Sequence, residues 1–176
     1  EKYNALNERF KKLSQEIVEI QEAIAAGEVV LKKLNKAKAT FNSAANWGVL
    51  DMVGGGLLTT MAKHNKINKG KDILNAVSYT LKDFNRELED IEQSDFLDID
   101  IDISDFLSFA DYFFDGIFAD FAVQSKINNT KYKIDKGILK IKDINDKLKS
   151  QKDRIENKLD TKEKEIDEFI IKYISN

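Results

Sequence analysis

Three stretches of this chain repeat apolar residues in alternating steps of three and four, the seam of a long α-helix packed against another helix. The first runs Tyr3, Leu6, Phe10, Leu13, Ile17, Ile20, Ile24, Gly27, Leu31, Leu34, then Lys38 and Phe41. The second runs Ile67, Gly70, Leu74, Val77, Leu81, Phe84, Leu88 and Ile91. The third carries Ile127, Ile134, Ile141, Leu148 and Ile155 at one heptad position, and Leu159, Ile166 and Tyr173 then fall four residues on, as in a stutter. With no proline among 176 residues, nothing forces these helices to stop early.

The fold expected is mainly α: a long antiparallel coiled-coil stalk made by the first and last helices, a third helix, and a small head. The segments read as a first stalk helix at 1–45, a glycine-rich head segment at 46–66, and a central helix at 67–94. An acidic head segment with a strand and an aromatic helix follows at 95–123, and a last stalk helix at 124–176, all in one domain. Antiparallel pairing of the stalk places Tyr3 near Tyr173 and Gly27 near Leu148. Each seam has a glycine at a core position, Gly27, Gly70 and Gly137, which points to close approach of a neighbouring backbone or to a packing gap.

The one strand expected is 97–103, where Leu97, Ile99, Ile101 and Ile103 alternate with Asp98, Asp100 and Asp102. Its ladder partner would be 57–61 or the same strand of a second copy, so a homo-oligomer stays open. The isoleucines face the head and the aspartates face solvent. Phe106, Phe109, Phe113, Phe114, Phe118 and Phe121 crowd the next segment and suggest the core of the head. Trp47 is expected to be buried where stalk meets head.

The net charge of −3 hides a partition. Residues 1–40 hold eight basic and six acidic side chains, 63–94 six of each, and 124–176 fourteen and ten. Residues 95–123 hold eight aspartates and no basic residue, which repels nucleic acid from that segment. Cysteine is absent, so disulfides, thiolate metal sites and a cysteine nucleophile are excluded. His64 is the only histidine and sits in a Lys63-His64-Asn65-Lys66 stretch that reads as a solvated linker, so no histidine cluster can form.

Asp98, Asp100 and Asp102 begin like a calcium loop, but Ile103 stands where glycine is required and Phe109 where a bidentate glutamate belongs. The solvated face of a strand, with no ligand, is the better explanation of them. Gly54, Gly55 and Gly56 resemble a phosphate cradle, yet no lysine–serine or lysine–threonine pair follows at the needed spacing. Asp51, Asp111, Asp115 and Asp120 lie in apolar sequence and need hydrogen-bond partners wherever they are buried. Asp51, Gly54, Gly55, Gly56, Asp111 and Asp115 are therefore the interaction candidates. No catalytic residue and no cofactor is indicated.

Asn46-Trp47-Gly48 with Asp51, Gly54-Gly55-Gly56 and Met61-Ala62-Lys63-His64 resembles one signature of an uncharacterised family of long-helical proteins from low-GC Gram-positive bacteria. Phe106-Leu107-Ser108-Phe109-Ala110-Asp111 with Phe114-Asp115-Gly116 and Gln124-Ser125-Lys126-Ile127 is similar to a second signature of that family. The resemblance spans residues 44–127 and implies a bacterial origin, with no activity attached.

The function expected is a non-enzymatic, cytoplasmic scaffold whose coiled-coil stalk presents an acidic head to a protein partner. The alternative is a membrane-active or membrane-surface helical protein that uses the apolar segments 47–62 and 106–123. Against it stand the eight aspartates, which anionic lipid repels. No helix-length run is apolar enough to span a bilayer, and a removed leader is left open by the absence of an initial Met.

Overall fold

A computed structural model describes residues 2–50, 58–93, 101–121 and 127–174, with the side chains of residues 44–50, 58–67, 114, 118–121 and several helix ends left aside. They form four helices: α1 (Lys2–Leu50), α2 (Leu58–Gln93), α3 (Ile103–Phe121) and α4 (Ile127–Ile174). Helix α1 packs against α2 and α4, and α3 packs against the same two, so the four helices close a ring.

Side-chain pairs fix the directions. Tyr3 stacks on Phe169 with centroids 6.3 Å apart, Glu28 meets Lys149 at 3.0 Å, and Lys38 meets Asp135 at 2.7 Å, so α1 and α4 are antiparallel. Asp105 pairs with Lys140 and Phe113 abuts Gly137, so α3 is antiparallel to α4 as well. In α1 and α2, Glu19 lies near Glu87 and Asp90 while Lys36 and Ser43 share a groove with Lys69, which makes this pair antiparallel too. The result is an up-down-up-down bundle. Both the α1–α2 and the α3–α4 connections leave from the same end of it.

Position along the helices decides how deeply each seam is covered. Where α2 and α3 flank the long pair, Ile20, Val30, Leu34, Ile134 and Leu148 are fully buried. Ala23, Val30 and Ala37 add a second buried column on α1, because α1 faces two neighbours there. N-terminal to Ile17 and C-terminal to Ile155 only α1 and α4 remain, and Leu6, Phe10, Leu13, Ile166 and Phe169 are half-buried. This two-helix extension is the stalk. Its register departs from the expected one by about one turn: Tyr3 meets Phe169 rather than Tyr173, and Gly27 meets Asn145 rather than Leu148.

Gly27 and Gly137 admit side chains rather than a backbone. A Cβ on Gly27 would fall on the Asn145 amide, and one on Gly137 would fall on the Phe113 ring. Asn145 is buried in the apolar seam, where its Nδ2 donates to the Ile24 carbonyl at 3.4 Å and its Oδ1 has no partner. A single buried amide at such a position sets the register of two helices at some cost in stability.

Among the described residues there is no strand. Residues 97–100 lie outside them, Ile101 and Asp102 are irregular, and Ile103 opens α3. The proposed ladder partner fails too, since residues 58–61 form the first turn of α2. The physical reason is a helix cap. Asp102 Oδ1 accepts from the Asp105 N–H at 2.8 Å and from the Ser104 hydroxyl at 3.2 Å, satisfying a first-turn N–H of α3. Asp102 is still exposed and Ile103 buried, so the alternation expected for a strand is here the start of an amphipathic helix.

The aromatic segment is not a separate head but the fourth wall of the bundle. Phe84 of α2 meets Phe106 of α3 edge-on at 5.3 Å, and Phe109 and Phe113 continue the row.

Candidate functional site

Antiparallel pairing of α1 with α2 brings like charges together. Residues 29–50 and 58–71 carry eight lysines and no acidic residue, and they lie side by side towards the α1–α2 connection. Residues 13–28 carry four glutamates and no basic residue, and they lie beside 72–93, which carry six acidic and two basic side chains. The α1–α2 pair is thus basic at one end and acidic at the other. Helix α4 behaves in the opposite way, since Glu28–Lys149, Lys38–Asp135 and Lys140–Asp105 all join opposite charges across helices.

The acidic half shows the strain of this layout. Burial first, and then Glu22, Asp90 and Glu87, push the Glu19 carboxyl above its ordinary range. Arg86, held by Glu87 at 2.8 Å, offsets part of the repulsion. A carboxyl whose folded pKa is raised keeps its proton to higher pH than in the unfolded chain, so stability falls as pH rises through that raised value. Glu19→Gln is therefore expected to raise the melting temperature at neutral pH. The gain should vanish in acid, below the ordinary carboxylate pKa of about 4, and circular dichroism melts at both pH values check this.

In the basic half, Lys36, Ala39, Thr40 and Ser43 of α1 and Lys69 of α2 line an open groove of about 300 Å³. Thr40 donates its hydroxyl to the Lys36 carbonyl at 3.0 Å, so the remaining donor side chains among the lining residues are those of Lys36, Lys69 and the exposed Ser43. Neither Lys36 nor Lys69 has a carboxylate partner among the described residues. A second groove, of about 390 Å³, opens at the stalk tip between Tyr3, Phe169, Ile170 and Tyr173.

Those residues singled out from sequence that are described, Asp102, Asp111 and Asp115, do not converge on one cleft. Asp51, Gly54, Gly55, Gly56, Asp98 and Asp100 lie outside the described residues, as do the side chains of Trp47, His64 and Asp120. Asp102 is the cap of α3. Asp111 and Asp115 are exposed one turn apart on the outer face of α3, on either side of Tyr112, which is 77% exposed. Neither caps a helix. The start of the acidic run is compensated inside the molecule, because Lys140 pairs with Asp105 and Lys147 lies near both Asp102 and Asp105.

Sequence reading missed the lysine groove because segment-by-segment counts balance it away: 63–94 totals neutral, although its lysines cluster in its first third. The signal was present as two acid-free stretches on either side of one connection. Among the described residues no group of three or more His, Cys, Asp or Glu side chains is placed to hold a metal, and no helix is long and apolar enough to cross a membrane. No protein-family model, curated protein or solved structure matches the chain.

Proposed function

We propose that the protein is a non-enzymatic helical scaffold that works at an anionic membrane surface, seated through the lysine-bearing end of the α1–α2 pair. The alignment of two acid-free, lysine-rich stretches across one helix interface carries this reading. The two stretches together hold eight lysines and no acidic residue, and although Asp135 of α4 pairs with Lys38, this excess of positive charge costs folding energy that an anionic surface offsets. Each lysine near such a surface contributes about 1 kcal/mol. Immediately beyond the lysines, residues 46–61 hold a single charged side chain, Asp51, so the sequence next to the basic end is compatible with the headgroup boundary.

The fold weakens the objection raised by the acidic run only for its start, since Asp120 belongs to the last turn of α3 at the connection end. Asp102 and Asp105 sit at the end of α3 remote from the two connections, about 28 Å away along a helix of this length. The cytoplasmic leaflet of a bacterial membrane is the anionic surface that fits this reading.

A flotation assay tests it. The protein should rise with vesicles containing anionic lipid, stay behind with neutral vesicles, and be released by high salt. Failure to rise with anionic vesicles would sink this reading.

A second reading, docking of a protein partner on the acidic outer face of α3, is favoured by Asp111 and Asp115, exposed and without an ion-pair partner among the described residues, beside exposed Tyr112. Capture by the parent chain but not by Asp111→Asn/Asp115→Asn would support it. Identical captured sets would dismiss it.

A further inference from the structure

We infer that the groove between α1 and α2 receives the terminal phosphate of a phosphomonoester lipid headgroup, as in phosphatidic acid. This rests on the membrane-surface reading and adds a site and a lipid chemistry to it. The groove draws Lys36 and Ser43 from one helix and Lys69 from the other, so its donors are held apart by packed backbones rather than by one flexible segment. The buried Leu34, Ala37 and Phe41 of α1 and Ile73 and Leu74 of α2 lie within about a turn of it and anchor both walls.

Charge and valence select the ligand. Lys36 and Lys69 both line the groove and no carboxylate does among the described residues, so an anion that enters meets uncompensated positive charge. A phosphomonoester brings nearly two negative charges and three acceptor oxygens, which match two ammonium groups and one hydroxyl. A phosphodiester headgroup brings one charge and only two unsubstituted oxygens, one fewer than the three donor side chains that line the groove. The groove lies on the flank of the basic end, and the sequence that follows Ser43 carries a single charge over 46–61, so a membrane is favoured over a nucleic acid, whose phosphates are diesters.

The test compares flotation on two vesicle sets of matched surface charge, one anionic through phosphatidylserine and one through phosphatidic acid. The parent chain should prefer phosphatidic acid by about tenfold, as two lysine contacts allow. Lys36→Gln/Lys69→Gln should erase the preference while keeping residual binding to both sets. Lys32→Gln/Lys71→Gln, with one change on each helix outside the groove, should weaken both sets equally and keep the preference. All four lysines are on the surface, so helical content by circular dichroism should not change.

Equal binding of the parent to both sets would overturn the inference and leave the membrane reading standing. So would a groove variant that loses both sets in proportion. A parent that binds neither set would overturn both, and a parent that binds duplex DNA but no vesicle would replace them with a nucleic-acid surface.

Discussion

Phe106→Ala is expected to destabilise the fold by about 3–5 kcal/mol, the range for removing a fully buried phenyl ring. Phe106 is 1% exposed and joins α2 to α3 through its edge contact with Phe84, itself fully buried. Helix α3 has only 19 residues and two neighbours, so its attachment depends on this row of rings. The loss should concentrate on α3. Hydrogen exchange should show α3 amides opening before those of the α1–α4 seam, and chemical denaturation should give the total. A loss below about 1 kcal/mol would mean that α3 is not held as described.

Gly27→Leu should be the second large effect, with a loss of about 1–3 kcal/mol or more from overpacking. The new side chain would occupy the space of the Asn145 amide, which is buried on α4 with one carbonyl partner and one unpaired oxygen. The two positions are coupled, so Asn145→Ala in the same chain should recover part of the loss. Additive single and double losses would show that Gly27 and Asn145 do not touch. A recovery by Asn145→Ala but not by Ile144→Ala would tie the effect to that one contact.

The long α1–α4 pairing was legible because a heptad repeat constrains direction and partner over many turns, and an unbroken seam at each end of the chain leaves little choice. Register was legible only to about one turn, because Gly27 accommodates either a leucine or an asparagine knob and pattern alone does not rank them. Helix α3 was misjudged for a physical reason. Period-two alternation over Leu97 to Ile103 reads as a strand, yet Asp102 caps a helix whose own buried positions, Ile103, Phe106, Ala110, Phe113 and Ile117, follow a helical period. The start of α2 was set too late, since residues 58–66 lack a seam repeat although they are helical.

The candidate site was the least legible part, since it depends on which halves of two helices lie together. Lys36 and Lys69 are 33 positions apart in sequence, in segments whose overall charges give no hint of a basic end. Only antiparallel packing of α1 on α2 sets the lysine stretches side by side and, as its counterpart, sets Glu19 against Glu87 and Asp90.

That stacking of lysine on lysine is the claim on which the membrane surface and the phosphate groove both depend. Because the chain has no cysteine, nitroxide labels can be placed in pairs without background, and electron–electron distances can be read directly. Labels at Lys36→Cys and Lys69→Cys should lie across one helix interface, within about 20 Å including the label arms. Labels at Lys36→Cys and Asp90→Cys should be separated by about 25 Å more along the bundle axis. A short distance for the second pair together with a long one for the first would contradict the account, because the lysine stretches would then lie at opposite ends of the bundle.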